Sequence, residues 1–404
     1  MKRILLLILL FQVLLTASAQ NKLLISGQIT DETGQPLPGA GVSIGDFRLG
    51  TVADSTGHYQ LKVGPGNYNL IFQMLGYVTA TANLIADNKP VILNIKLKES
   101  VTRLNEVVIR PGQRNKKWED SFRDSFIGTT PNAKACKILN SEVLRFEYNA
   151  EKKILTASTN DLLVVENKAL GYRIKYLLKY FQKDEETGLV FFYGFPTFEE
   201  LKGTPKQMQQ YAKKRVEAYM GSPEHFFSAL YKETLELEGF MVRNLVKKKN
   251  PRFIPEKKID ESLARLSEKM EGPKGYILND VLVILKNKRR EMDSVEVLSS
   301  GEFYISGLVR QKSENLKTIR FDGALYVVYS PERERSAYGG SGFRIERPEE
   351  YADYQVSVIN HANGELSFYA DGRIFDPASV IIEGHMAYER IGDMVPRDYL
   401  VTDY

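Results

Sequence analysis

Leu23-Leu24-Ile25-Ser26-Gly27-Gln28-Ile29-Thr30, closed by Asp31-Glu32-Thr33-Gly34-Gln35-Pro36, is the stretch that decides the first fold class. Leu23, Ile25, Gly27 and Ile29 fall on one face, with Leu24, Ser26, Gln28 and Thr30 on the other, which is the two-residue period of a half-buried strand. The closing residues are a turn by chemistry, because aspartate bonds its own backbone and glycine supplies positive φ. The pattern continues outward. Ala40, Val42 and Ile44 alternate, Asp54-Ser55-Thr56-Gly57 precedes Tyr59, Leu61 and Val63, and Gly64-Pro65-Gly66-Asn67 precedes Tyr68, Leu70, Phe72 and Met74. A more polar strand follows Gly76-Tyr77. A last strand points Val91, Leu93, Ile95 and Leu97 inward, with Asn94 and Lys96 outward. Short alternating strands with regular turn signals predict an antiparallel β-sandwich.

The same residues carry a resemblance. Gly27, Asp31, Gly34, Pro36-Leu37, Gly39-Ala40, Val42, Gly50-Thr51, Asp54, Gly57, Tyr59, Leu61, Gly66, Tyr68, Leu70 and Gly76-Tyr77 resemble the carboxypeptidase regulatory-like family, whose fold is a transthyretin-like sandwich. That family is named after a domain attached to metallocarboxypeptidases, outside their catalytic part, so the resemblance implies no peptidase activity. Asp31 and Asp54 invite a calcium reading. The chain around them lacks the series of oxygen ligands calcium takes, and local turn bonding is the expectation.

Lys2 and Arg3, the apolar run Ile4 to Leu15 broken only by Gln12, and Ala17-Ser18-Ala19 read as a secretory leader over 1–19, cleaved to leave Gln20 first. The apolar run is too short to span a bilayer, and no later segment is long and apolar enough to do so as a helix. The single cysteine, Cys136, lies far from the cleavage site, so no lipid anchor is expected. Lys134 and Lys137 flank it and favour a thiolate, yet a lone cysteine is expected to be buried as a small apolar group. Without Lys2 and Arg3 the balance is 53 basic to 51 acidic residues, which gives no reason to expect nucleic acid.

The sandwich is assigned to 20–109, a hinge to 110–117 and an α+β region to 118–404. Arg110-Pro111-Gly112 marks the boundary. Trp118, Phe122 and Phe126 predict a short amphipathic helix. Strand-like runs follow at 143–148, 154–158, 171–181 and 189–193. Helices follow over Met208, Tyr211, Ala212 and Tyr219, and from Ser222-Pro223 through Phe227, Leu230, Tyr231 and Thr234. After a basic, Pro-containing stretch (247–258), strands resume at 294–297, 303–309, 319–330, 354–359, 366–369 and 380–390. Strands, then helices, then mostly antiparallel strands argue for α+β. This region resembles the second part of exported proteins that begin with the same domain. The resemblance rests on Asn132 to Asn140, Asn167-Lys168-Ala169-Leu170-Gly171-Tyr172, Phe321-Asp322-Gly323, Asp376-Pro377 and Glu389-Arg390-Ile391-Gly392-Asp393; it implies an architecture and no activity.

No catalytic residue, cofactor or metal is expected. His58, His225, His361 and His385 lack ligand spacing. Gly339-Gly340-Ser341-Gly342 is followed by Phe343 and misses the nucleophile elbow. Glu199-Glu200 and Glu383 are the carboxylates nearest to aromatic residues. Lys247-Lys248-Lys249 and Lys286, Lys288, Arg289 and Arg290 read as solvated faces. One segment invites a partner: Leu104, Asn105, Glu106, Val107, Val108 and Ile109 resemble the stretch after the same domain in TonB-dependent outer-membrane receptors. There the resemblance implies strand addition by an energy-transducing protein, although residues 118–404 do not read as a barrel; pairing within this chain is the alternative. The expectation is an exported, periplasmic or outer-membrane-associated binding or scaffolding module. Its partner is an envelope protein or peptide, with carbohydrate as the other candidate. The competing reading is a carbohydrate- or peptide-processing enzyme with its site in 118–404.

Overall fold

The computed structural model describes residues 22–87, 89–100, 115–159, 161–267, 293–299, 303–334, 347–362, 364–376, 379–399 and 401. The segment 1–19 expected to be a leader, residues 104–109, the basic run 286–290 and the 339–342 loop lie outside them.

The sandwich comprises β1 (Leu23–Asp31), β2 (Gly41–Ile44), β3 (Gly50–Val52), β4 (His58–Val63), β5 (Gly66–Gln73), β6 (Ala80–Ala86), β7 (Val91–Ile92) and β8 (Ile95–Leu97). One sheet runs β4-β1-β7 with β8 also on β1, and the other runs β3-β2-β5-β6. The alternation delivers the core it promises: Ile25, Ile29, Val42, Ile44, Tyr59, Leu61, Leu70, Phe72 and Leu97 are all buried together. The expected last strand is split, and both halves run parallel to β1. At the break, Leu93 N–H donates to Ser26 O (2.8 Å) and Gln28 N–H to Asn94 Oδ1 (2.9 Å). Gly27 permits the crossing, since a Cβ there would lie 1.9 Å from Leu93 O. Asp31 Oδ1 accepts from Thr33 N, Thr33 Oγ1 and Gln35 N at 2.7–2.8 Å, and Asp54 Oδ1 does the same for Thr56 and His58. Bonds from the threonine hydroxyls hold both carboxyls below their usual range.

The α+β region opens with α1 (Lys116–Phe126), capped by Asn115, and α2 (Pro131–Lys134). A sheet follows, built from β9 (Cys136–Ile138), β10 (Leu144–Asn149), β11 (Ile154–Thr159), β12 (Leu163–Asn167), β13 (Tyr172–Asp184) and β14 (Val190–Glu200). Its order is β10-β11-β13-β12-β9, with β14 on β13. The 3.6-residue spacing of Phe122 and Phe126 puts both rings into this sheet, 4.8 Å from Phe181 and 5.0 Å from Tyr176 respectively.

Next come α3 (Pro205–Tyr219) and α4 (Pro223–Lys232), with Thr204 and Ser222 as N-caps and proline at the first turn of each. The rest is β15 (Phe240–Lys249), α5 (Glu256–Ser267), β16 (Ser294–Leu298), β17 (Val309–Ser313), β18 (Leu316–Ile319), β19 (Ala324–Arg333), β20 (Tyr354–His361), β21 (Leu366–Tyr369), β22 (Val380–Gly384) and α6 (His385–Tyr388). They form antiparallel sheets β16-β15-β19-β20-β22 and β17-β18-β21, against which α4 buries Phe226, Phe227 and Leu230. The fold is therefore an all-β sandwich followed by an α+β region.

Several elements differ from expectation. The basic stretch is strand and helix, because Lys247 faces Glu296 across β15–β16. Residues 305–308 form a 3₁₀ turn in place of a strand. The run 319–330 breaks at Gly323, whose φ is +75° and whose Cβ would meet Leu245 O at 2.1 Å. The run 380–390 stops at Gly384 and turns into α6. No helix among the described residues is long and apolar enough to cross a membrane.

A buried histidine makes stability pH-dependent. Gly221 N–H donates to His225 Nδ1 (3.0 Å), so Nε2 carries the proton toward Glu238 Oε2 (2.6 Å). Burial lowers the His225 pKa against the opposing pull of Glu238. Glu238 is also lowered: bonds from Thr234 and His225 outweigh the upward effect of its burial. For both groups the unfolded chain binds protons first as pH falls. Stability is then present above the unfolded value of His, about 6.5, and is lost as pH falls toward the folded one. Urea unfolding at pH 7 and pH 5 is expected to show this loss, and His225→Gln to reduce its slope. A slope unchanged by that variant would show that His225 is not the group.

Candidate functional site

Stretches singled out in the sequence converge in one buried node. Asp393 Oδ2 accepts from Thr130 Oγ1 (2.6 Å) and Oδ1 from Asn132 Nδ2 (2.9 Å). Asn167 Nδ2 donates to Gly392 O (2.8 Å), and Gly392 N–H to Ile127 O (2.8 Å). Gly392 has to be glycine, as a Cβ would sit 2.6 Å from that of Ala133. Arg215 closes the neighbouring turn, donating from Nε to Leu170 O (2.8 Å) with its guanidinium 3.9 Å from the Tyr172 ring centroid. Cys136 sits in this node, buried, and burial pushes its thiol up to about 12 while Asp393 adds to the effect. The flanking lysines do not activate it. The node holds helix α1, the sheet and the C-terminal segment together.

The opening lies where the sandwich meets the α+β region. Gly45 to Leu49, the β2–β3 turn, reaches across: Asp46 N–H donates to Pro196 O (2.6 Å) and Phe198 N–H to Phe47 O (3.3 Å). Ile71, Leu162, Leu177 and Phe195 bury one another beside it. Arginines then tie the parts. Arg48 pairs with Glu200 (3.0 Å) and Asp398 (3.3 Å), and Arg397 with Asp46 (3.3 Å). Burial alone would lower the Arg397 pKa, but Asp46, Glu224 and Asp371 push it up. Arg373, nearly buried, donates to Asp371 Oδ2 (2.6 Å) and to Asn67 O on the sandwich (3.0 Å). Its guanidinium lies 4.6 Å from the ring of Tyr369, 5.1 Å from Tyr68 and 5.3 Å from Phe47.

These rings and the sandwich rim enclose a cleft of about 680 Å³. Phe47, Tyr68 and Tyr369 line its floor, and Lys22 and Lys62 stand on the sandwich side. Clefts between domains, mostly apolar with a few polar groups, are the ordinary place for a ligand. Tyr68 is raised above the usual tyrosine range by burial, so the floor stays neutral at physiological pH.

The residues flagged from sequence are scattered. Glu199 is paired with Lys175 and Glu200 with Arg48 and Arg215. Glu383 is exposed on β22. His361 accepts from Gly364 N–H at Nδ1 (2.8 Å) and donates from Nε2 to Phe321 O (2.9 Å). Among the described residues no group of three or more His, Cys, Asp or Glu is placed to hold a metal ion. Leu104 to Ile109 lie outside the described residues. Sequence reasoning took Tyr68 for a core residue only, and passed over Phe47, Tyr369 and Arg373. The available signal was the charged turn Asp371-Gly372-Arg373 directly after the aromatic end of β21.

Comparison with family models agrees with the sandwich. The family model for the CarboxypepD_reg-like domain matches residues 25–109. The TonB-dependent receptor P39 of Formosa agariphila is 31% identical over 85 residues, which are 21% of this chain and 8% of the receptor. A type II cohesin–X-dockerin complex from Acetivibrio cellulolyticus shares 23% identity over 19% of this chain and 56% of that one, with a TM-score of 0.17. The 3-chlorocatechol 1,2-dioxygenase of Rhodococcus opacus shares 10% over 21% and 62%, with a TM-score of 0.18. The chain spans under a tenth of the receptor it matches. Residues 25–109 are a carboxypeptidase regulatory-like domain, followed here by an α+β region that docks against it.

Proposed function

We propose that this protein is an exported, non-catalytic binding module of the cell envelope that holds a protein or peptide partner in the cleft between its sandwich and its α+β region. The observation that carries the reading is the cleft itself. Its aromatic floor, with Lys22 and Lys62 and also Glu314, Asp371 and Asp398 in its lining, suits an extended chain with apolar side chains and charges of both signs. The leader-like pattern of residues 1–19 supports export, and the similarity of the sandwich to part of a TonB-dependent receptor supports the envelope. The non-catalytic reading is supported by the pairing of the candidate acids: Glu199 and Glu200 are held by basic side chains, and His225 is buried against Glu238.

Photo-crosslinking in the native envelope tests it. A photoreactive side chain at Lys62 is expected to trap one partner, identified by mass spectrometry, while the same group at Thr33 in the distal turn traps none. The identified partner, purified, is expected to bind the wild-type chain and to lose at least tenfold in affinity with Tyr369→Ala. Equal trapping at both positions, or undiminished binding by the variant, would refute the cleft.

A further inference from the structure

A second concave surface lies on the α+β region and shares no lining residue with the cleft. Two cavities follow one another along β15. The first, about 550 Å³, is lined by Asn244, Phe303, Phe321, Asp322 and His361 among others. The second, about 490 Å³, is lined by Glu236, Leu237, Met241 and Tyr304 among others, and Phe303 belongs to both.

Apolar side chains that a core would claim stand in the open here. Leu237 is 89% exposed and Tyr304 79%, and Met241 is exposed beside them. Apolar groups clustered on a surface mark an interaction site, whereas scattered ones do not. The charged groups are mostly acidic. Asp322, Glu233 and Glu236 line the two cavities with a single basic residue, Arg320, which Glu365 already engages at 2.7 Å. Glu233 is bonded by Lys317 (3.2 Å), whereas Asp322 and Glu236 are exposed and pair with no basic side chain among the described residues. His361 adds no charge, since its Nδ1 accepts from Gly364 N–H (2.8 Å). Asn244 completes the first cavity: its Oδ1 is buried and accepts no hydrogen bond. A buried acceptor left without a donor costs free energy.

We propose that the two cavities form one docking surface for a basic, apolar peptide segment of a partner protein. Chemistry selects this occupant. A lysine or arginine side chain brings the charge that Asp322 leaves unmatched and an N–H donor for Asn244 Oδ1, while its stem lies along Phe303. Apolar side chains of the segment cover Leu237, Met241 and Tyr304, and a second basic side chain meets Glu236. An acidic segment would face three carboxylates, and a second copy of the same surface would set like charges together. This docking is independent of the cleft reading.

Fluorescence anisotropy of a dye-labelled peptide, Ala-Lys-Leu-Ala-Leu-Lys-Ala, tests the proposal on the chain from Gln20 onward. Saturable binding is expected, weakened by salt and absent for the same peptide with glutamate in place of lysine. Asp322→Asn together with Glu236→Gln is expected to raise Kd about fivefold, as the loss of two partly exposed charge pairs would. Both side chains are exposed and unpaired, so the melting temperature is expected to stay. Glu151→Gln, at an exposed acid between β10 and β11, is expected to leave Kd unchanged. Asn244→Val is expected to weaken binding and yet raise the melting temperature, because it removes an acceptor that lacks a donor. An asparagine with a merely structural role would lower both or neither. Failure of the lysine peptide to bind, equal binding of the glutamate peptide, or a double variant that binds like wild type would each overturn the proposal. So would binding that appears only once Lys286, Lys288, Arg289 and Arg290 are replaced by glutamine, which would make the chain's own basic run the occupant.

Discussion

Asp393→Ala is expected to cost about 3 kcal/mol or more of stability, since it leaves buried donors from Thr130 and Asn132 without their acceptor. Each orphaned buried donor costs about 1–3 kcal/mol, and the lost carboxylate also leaves a cavity beside Ala133 and Ile391. Asp393→Asn keeps one acceptor oxygen and is expected to cost less. Trp118, the single tryptophan, packs on the same core and stacks on Tyr148 at 5.7 Å, so its fluorescence in urea follows this region. A midpoint within about 1 kcal/mol of wild type would show that the node does not hold the region together.

Arg373→Ala is expected to uncouple the sandwich from the rest of the chain. The side chain is the only group among the described residues that bonds Asn67 O while sitting among Phe47, Tyr68 and Tyr369. Its loss removes the cross-link and strands Asp371, which stays partly solvated, so a cost of about 2–3 kcal/mol is expected. Calorimetry is expected to show one transition for the wild type and two for the variant, with the sandwich melting apart from the α+β region. Arg373→Lys is expected to rescue little, because an ammonium lacks the planar fork that bonds Asp371 and Asn67 O at once. A single unshifted transition in the alanine variant would place the coupling elsewhere, in the Arg48 and Arg397 pairs.

The contrast between the two regions comes from how each buries its strands. In the sandwich, β1 and β4 turn one face to the core and the other outward, so the alternation shows, while β5 keeps its inward period although Ile71 on its other face is buried against the α+β region. The parallel pairing of β7 and β8 was illegible, because direction is set by Gly27 letting the chain cross and not by the period of 91–97. In the α+β region, β9 and β12 are too short to show a period. β15 is disguised by Lys247-Lys248-Lys249, three lysines that stay exposed on the strand, with Lys247 opposite Glu296 of β16. Asn132, Asn167 and Asp393 stood out in sequence, but only the fold shows them in one node. The cleft was hidden for a different reason. Phe47, Tyr68, Tyr369 and Arg373 sit on separate turns and strand ends, and become neighbours only when the sandwich docks.

Hydrogen–deuterium exchange of the chain with its crosslinked and purified partner tests the cleft most directly. The account predicts slowed exchange at 44–49, at 62–68 and at 369–373, the segments that carry Phe47, Tyr68 and Arg373, with the distal turn at 31–36 unchanged. Protection confined to other surfaces, with those segments exchanging as in the free chain, would contradict it.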